Sequence, residues 1–407
     1  MIGTVIVGGG HAGGTAAGLL RLYGWDGPLA IVGEESAAPY QRPPLSKAYL
    51  KGEADLDALE LKGPDFYAEH QIDLRTGVRA VALDRTRREL RLSDGSALPY
   101  EHCILATGAR PRRLAIDGAG LPGVLALRTV VDADALRAAL HPGARLVVVG
   151  GGYVGLEAAA AARAAGAQAV VLEREARVLA RVACPELSAF YQARHRAEGV
   201  EIRLKTEVTG FEPGPDGRVA FVRLGDGERV ACTAVLVGVG ALPNDELARD
   251  AGLSCPNGVA VDENARTADP AVFAIGDVSW RPLPAYGRSF RLESVPNALE
   301  QAKQAAAAIA GKSRPPDETP WFWSDQYDIK LQIAGVPFDA DNRLVRGQPE
   351  AGRFAVFHLQ GDVVRAVEAV NAPAEFLAGR QLIARCTPVS RAALRDPAVN
   401  MKAVAAA

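Results

Sequence analysis

One unit occurs twice in this chain, about 140 residues apart, and it restricts the fold more than any other feature. In the first copy the run Thr4-Val5-Ile6-Val7 leads into Gly8-Gly9-Gly10-His11-Ala12-Gly13-Gly14. An Ala/Leu-rich stretch then reaches Gly24, and a second apolar run, Leu29-Ala30-Ile31-Val32, ends beside Glu34 and Glu35. In the second copy Leu146-Val147-Val148-Val149 leads into Gly150-Gly151-Gly152-Tyr153-Val154-Gly155. Ala-rich sequence reaches Gly166, and Ala169-Val170-Val171-Leu172 ends at Glu173. Each copy reads as strand, glycine turn, helix with a glycine stop, strand and acid.

The spacing has a physical reason. In G-x-G-x-x-G the first glycine (Gly8, Gly150) permits a tight turn, and the second (Gly10, Gly152) lets a pyrophosphate approach the backbone. The third (Gly13, Gly155) lets the helix lie close to the strand, and the helix's first N–H groups face the phosphates. An acid about 20 residues on accepts from a ribose hydroxyl. A lone glycine turn is weak evidence, but here strand, helix and acid recur at the right distances in both copies. Two dinucleotides are therefore expected to bind. Glu173 would repel a 2′-phosphate, which favours NADH over NADPH at the second site, with Tyr153 and Val154 lining its loop. Arg174 and Arg177 are the nearby residues that could instead turn to such a phosphate.

Composition narrows the class. The 407 residues are 48% apolar and 23% charged, enough to bury large cores and too apolar for wholesale disorder. Lys plus Arg (46) balance Asp plus Glu (48), so no global basic footprint for nucleic acid exists. The cysteines Cys103, Cys184, Cys232, Cys255 and Cys386 are too widely spaced for a CxxC pair, and no metal site is expected. His70, His102, His141, His195 and His358 show no metal-ligand spacing and read as surface or packing residues, whereas His11 could face the phosphates. Met1-Ile2-Gly3-Thr4 leaves no room for a signal peptide, and Leu146 to Leu172 is broken by Glu157 and Arg163. A cytoplasmic protein without a membrane span is expected.

Further segments carry a family resemblance. Ile104-Leu105-Ala106-Thr107-Gly108, Val235-Leu236-Val237-Gly238-Val239-Gly240 with Pro243-Asn244, and Phe273-Ala274-Ile275-Gly276-Asp277 follow the two fingerprints in order. Together they resemble the two-dinucleotide flavoprotein reductases related to glutathione reductase. Arg42-Pro43-Pro44-Leu45-Ser46-Lys47 stands where disulfide reductases keep a redox cysteine pair, and it has no cysteine. That segment, Glu293-Ser294-Val295-Pro296-Asn297-Ala298-Leu299-Glu300-Gln301-Ala302 and Pro320-Trp321-Phe322-Trp323-Ser324-Asp325-Gln326-Tyr327 look like the signatures of oxygenase-coupled ferredoxin reductases of the putidaredoxin reductase type.

The resemblance implies an α/β fold with two Rossmann-like dinucleotide-binding domains and an α+β C-terminal domain. It implies a discontinuous FAD domain (1–111 and 245–320), an NADH domain (112–244) and a third domain (321–407). FAD would be held by Gly8, Gly10, Ala12, Gly13, Glu34 (Glu35 the alternative), Lys47, Ala80, Ala106, Thr107, Gly108, Arg128, Asp277 and Val295. Ala80 and Val295 would act through backbone atoms, and Asp277 through the ribityl chain. NADH would be held by Gly150, Gly152, Tyr153, Val154, Gly155, Glu173 and Gly240. Lys47 could stabilise negative charge on reduced flavin with Glu157 as its partner. The alternative is an exposed lysine and a first-turn glutamate favoured by the helix dipole.

The implied activity is NADH-dependent reduction of a [2Fe–2S] ferredoxin, one electron at a time, feeding an oxygenase. A rubredoxin reductase, an NADH oxidase and an NADH-sensing flavoprotein resembling apoptosis-inducing factor are the alternatives. Trp323 is the candidate at the docking edge and Lys303 the candidate docking cation, with Lys330 and Arg291 behind it. Trp25, Trp280 and Trp321 read as packing. A monomer or weak dimer is expected. In the third domain, strands are expected at 330–334, 343–346, 353–360 and 363–367, a helix near 374–379, and a frayed tail after Met401.

Overall fold

The computed structural model describes residues 3–63 and 65–406. Met1 and Ile2, which open the expected leaderless start, lie outside the described residues, as does Ala407. The helices of the described residues include α1 (His11–Leu22), α2 (Tyr153–Ala164), α3 (Pro185–Ala197), α4 (Val295–Ile309), α5 (Pro373–Arg385) and α6 (Met401–Ala406).

Contacts group the chain into two compact units. The first comprises Met1–Arg42, Leu56–Arg110 and Leu242–Pro320. In its sheet Gly3–Val7 lies between Leu29–Val32 and Ala97–Leu105, parallel to both, with Val5 opposite Ala30 on one side and Cys103 on the other. All five residues of Gly3–Val7 and all four of Leu29–Val32 are buried, as expected of a parallel sheet covered on both faces. Ala12, Ala16, Ala17 and Leu20 of α1 share a core with Ala298, Ala302, Ala305, Ala306 and Ile309 of α4, and the alanines let the two helices approach.

The second unit comprises Pro43–Asp55, Pro111–Ala241 and Trp321–Ala407. Its nucleotide sheet repeats the scheme: Arg145–Val149 lies between Gln168–Leu172 and Ala234–Val237, again parallel to both. The same unit holds an antiparallel five-stranded sheet in the order Trp321–Gln326, Ile329–Gly335, Val363–Val370, Arg353–Gln360, Asn342–Gln348. Its Phe354, Val356 and Val370 pack with Leu187 and Tyr191 of α3. A Cβ on Gly379 of α5 would stand 2.5 Å from Val367 Cγ1, so that helix lies close against the sheet.

The grouping differs from the expected three domains. Residues 43–55 join the second unit because Ser46 and Lys47 bond Glu157 and the Tyr49 hydroxyl bonds Asp134 (2.8 Å). The C-terminal segment joins it because Cys184 N–H donates to Glu368 (3.0 Å) and His195 bonds Gln326 (2.8 Å). The tail expected to fray is instead helix α6, with Met401, Val404 and Ala405 buried. Their i, i+3, i+4 spacing makes an apolar stripe too short to stand out in an alanine-rich sequence.

Candidate dinucleotide sites

The two glycine loops solve the same steric problem. Gly8 has φ +118°, and a Cβ there would fall 2.2 Å from Ala106 O; one on Gly13 would fall 2.0 Å from Gly8 O. In the second loop Gly150 has φ +103° with Gly238 O at 2.5 Å, and Gly155 has Gly150 O at 2.4 Å. The middle glycines differ in kind. Around Gly10 the nearest such atom is Arg42 Nε at 3.8 Å, and around Gly152 it is Gly238 O at 4.0 Å. Nothing among the described residues forbids a side chain at either middle position. Gly10 and Gly152 are also the N-caps of α1 and α2, with no side-chain cap and no acid in the first turn. Uncapped N–H groups beside an unobstructed backbone are what a pyrophosphate fits.

Around the first loop the separated motifs converge. Thr107 Oγ1 donates to Asn244 O (2.7 Å), Asn244 Nδ2 donates to Thr107 O (2.8 Å), and Asn244 N–H donates to Gly108 O (2.9 Å). Ala106 N–H donates to Val7 O (2.8 Å), which sets this turn beside Gly8. A Cβ on Gly276 would lie 3.1 Å from Ala12 Cβ, bringing Asp277's turn to the start of α1. Val295 opens α4 behind the N-cap Ser294, so its N–H has no intrahelical partner. Ala80 is half-buried at the start of the strand Ala80–Asp84.

The two acid candidates separate. Glu35 accepts from the Tyr40 hydroxyl (2.5 Å) and pairs with Arg42 (2.5 Å), while Glu34 is exposed. Burial works to lower the Arg42 guanidinium's pKa, yet Tyr40, Glu35 and Asp277 hold it above its ordinary value. Lys47 and Arg128 belong to the second unit, not to the first unit with the other expected FAD residues. The Arg128 N–H donates to Asp132 (3.0 Å), just before a helix capped by Thr129.

At the second loop Glu173 Oε2 accepts from Gly151 N–H (2.6 Å) and Oε1 from Glu175 N–H (2.8 Å). A carboxylate offers about four lone-pair positions, so both oxygens can still accept from a ribose. Arg177 is committed elsewhere, to Ala183 O (2.8 Å), Ser188 Oγ (2.6 Å) and Ala180 O (2.9 Å). Arg174 is exposed beside Glu175. The Tyr153 ring rests on Phe322 (centroids 4.8 Å apart), and Val154 is exposed. Gly240 has φ +105° and accepts from Arg112 N–H (2.9 Å).

Lys47 and Glu157 meet, with Nζ 2.8 Å from Oε2. Glu157 is the fifth residue of α2, beyond the first turn, and only 4% exposed, so the alternative of a solvated glutamate on the helix dipole does not describe it. A buried carboxylate needs donors. Besides Lys47 it receives the hydroxyls of Ser46 (2.5 Å) and Ser324 (2.5 Å). Neither serine was a sequence candidate; both lie inside the segments that carry the family resemblance, and a buried glutamate in an Ala-rich helix was the available signal. Trp323 is half-buried, 5.5 Å from Trp321, which packs on Phe376. Lys303 pairs with Glu318 (2.9 Å) and Arg291 with Glu293.

Two histidines expected at the surface or in plain packing are buried in polar clusters. His195 bonds Gln326 and Tyr327. His358 Nε2 lies 3.6 Å from Glu368 Oε1, with Cys184 alongside. His358 and Glu368 are diagonal neighbours on adjacent strands, a relation that spacing along the chain does not reveal. Burial pushes the Cys103 thiol up to about 12, with Asp269 adding to it, so this cysteine is core and inert.

Residues 3–302 match the pyridine nucleotide-disulphide oxidoreductase family and residues 321–405 the reductase C-terminal domain. The chain belongs to the pyridine nucleotide-disulphide oxidoreductase family. Among its relatives, a probable ferredoxin reductase of Castellaniella defragrans is 51% identical over 98% of both chains. Putidaredoxin reductase of Pseudomonas putida is 45% identical over 99% of this chain and 96% of that one. The crystal structure of a covalent putidaredoxin reductase–putidaredoxin complex superimposes with a TM-score of 0.97 at 44% identity, covering 100% of this chain and 98% of that one. The chain is thus an oxidoreductase of the ferredoxin reductase kind, with FAD and NADH as its cofactors.

Proposed function

We propose that this reductase oxidises NADH at the second loop and delivers the electrons to a [2Fe–2S] ferredoxin that serves an oxygenase in the cytoplasm, working as a monomer or weak dimer. The observation that carries this is the pairing of two pyrophosphate cradles with no sulfur acceptor. Among the described residues every cysteine is free, and Arg42 to Lys47 fills the place of a redox pair. Electrons must therefore leave the chain. Bound FAD would supply the exchange between two-electron and one-electron transfer.

The chain's own residues position and exclude. Gly8, Gly10, Gly13 and the N–H groups opening α1 hold the pyrophosphate of FAD, with Ala12, Ala106, Thr107, Gly108, Asp277, Ala80 and the Val295 N–H around the rest, and Glu34 at the ribose. Gly150, Gly152, Tyr153, Val154, Gly155, Gly240 and Glu173 hold NADH. The tied Arg177 offers no cation for a 2′-phosphate, which agrees with NADH. Lys47, fixed by Glu157 and Ser46, supplies a cation toward developing negative charge, and Arg128 assists from the same unit. Trp323 and Lys303 are the docking candidates for the ferredoxin. No helix among the described residues is long and apolar enough to cross a membrane.

Steady-state electron transfer from NADH, and separately NADPH, to a panel of [2Fe–2S] ferredoxins, a rubredoxin and dioxygen tests the proposal. Acceleration by at least one ferredoxin with NADH is expected; none with any of them overturns it.

A further inference from the structure

Beyond the Lys47–Glu157 pair runs a line of buried polar groups whose hydrogens can be assigned. Carboxylates only accept, so the Ser324 hydroxyl donates its one hydrogen to Glu157 Oε1. Ser324 Oγ in turn accepts from Gln326 Nε2 (3.1 Å). That orientation turns Gln326 Oε1 toward His195 Nε2 (2.8 Å), so Nε2 carries the ring hydrogen. Burial lowers the His195 pKa; Gln326 opposes this, Arg194 adds to it and Glu198 opposes it, and the net direction is down. The ring is therefore neutral at pH 7, and its bare Nδ1 accepts the Tyr327 hydroxyl (3.1 Å). From Tyr327 to Glu157 every hydrogen points the same way.

Beyond the half-buried Tyr327, the members have no access to water that could take over. His195 and Ser324 are 0% exposed, Gln326 2% and Glu157 4%. Aligned hydrogen bonds in such surroundings polarise one another and act as a unit. The chain joins the last turn of α3 to the strand Trp321–Gln326 and then to α2, and it ends on the carboxylate that holds Lys47.

We infer that His195 is a positioning residue for the Glu157–Lys47 pair, acting through Gln326 and Ser324. This rests on the proposed role of Lys47 in flavin reduction. His195 sets the amide of Gln326, the amide spends its hydrogens on Ser324, and Ser324 orients the Glu157 carboxylate that fixes the ammonium. The groups that face the ring are Arg194 of α3, Glu198 at that helix's C-cap, Tyr327 from the β-turn after Gln326, and the Tyr191 ring.

Two measurements on the holoenzyme test it. In ¹⁵N-histidine NMR, with the His195 signal assigned by its loss in His195→Gln, a neutral Nε2–H ring is expected between about pH 7 and 8. An Nδ1–H or protonated ring overturns the chain. In stopped-flow reduction by NADH, His195→Phe and Gln326→Leu should each slow the limiting rate about tenfold with NADH Kd unchanged, while His195→Gln, whose amide can donate to Gln326, stays within about twofold of wild type. In a Lys47→Ala background His195→Phe should add nothing, as expected of one shared path. The same slowing in both backgrounds overturns the positioning role. If Lys47→Ala leaves reduction unchanged while the Nε2–H ring persists, the role of Lys47 falls and the positioning role with it, but the hydrogen-bond chain stands.

Discussion

The two glycine loops share a backbone and differ in what surrounds it. In both, the outer glycines are compelled by the chain itself, with carbonyl oxygens at 2.0–2.5 Å from any Cβ, while the middle glycine is compelled by nothing inside the protein. The acids diverge. The first copy spends Glu35 on Tyr40 and Arg42 and leaves Glu34 exposed; the second ties Glu173 back to its own loop through Gly151. At the fifth helical position the first copy has half-buried Thr15 and the second has Glu157, buried under three donors. One repeat therefore yields a plain glycine loop and a loop whose helix carries a buried charge pair.

The largest effects are expected at the glycines. Gly8→Ala and Gly150→Ala should each cost about 3 kcal/mol or more, from a carbonyl clash and a positive φ. Thermal unfolding checks this. Gly10→Ala and Gly152→Ala should keep most of the stability, yet the first should lose FAD on purification and the second should bind NADH weakly. If the middle variants keep normal cofactor binding, neither loop is a pyrophosphate cradle.

Next in size is the charge pair present on one side only. Lys47→Ala should slow flavin reduction by about a hundredfold, the scale of losing one electrostatic stabiliser. It should also lower stability, since Glu157 stays buried without its cation. Thr15→Ala, at the equivalent place in the first copy, should change neither rate nor stability beyond about 0.5 kcal/mol.

The acids follow. Glu173→Gln should raise the KM for NADH about tenfold, because a charged acceptor contributes about 1.5 kcal/mol or more to a ribose hydrogen bond. Glu34→Gln should weaken FAD retention more than Glu35→Gln if the exposed acid meets the ribose. The reverse order would assign that position to Glu35.

A smaller effect is pH-dependent. Burial lowers the His195 pKa in the folded state, so the unfolded chain binds a proton more readily. Stability should fall as pH drops below about 6.5, the unfolded value, and His195→Gln should flatten that acid limb in denaturant titrations. The smallest change is expected from Lys303→Glu. Lys303 already shares its charge with Glu318, so turnover with ferredoxin should drop only about twofold, and only at low salt, with reduction by NADH unaltered.

Local rules made much of this readable. The strands flanking both loops, the glycine stops, and the strands Ile329–Gly335, Asn342–Gln348, Arg353–Gln360 and Val363–Val370 follow from short-range periodicity and turn residues. The place of Glu157 did not. Its helical position turned on where α2 begins, and its donors Ser46 and Ser324 come from 111 and 167 positions away. The cluster of Cys184, His358 and Glu368 was hidden for the same reason, since its members sit on α3's cap and two strands of a distant sheet.

By itself the sequence determined the two nucleotide loops, the missing sulfur acceptor and the need for an outside electron partner. These rest on steric and chemical properties of residues within about 20 positions of one another. Tertiary structure alone decided which acid is tied and which exposed, how Glu157 is held, and that residues 43–55 and 321–407 join the unit of the second glycine loop. Those outcomes depend on pairing buried polar groups across the chain, and no local period encodes which distant serine, glutamine or histidine will satisfy a buried carboxylate.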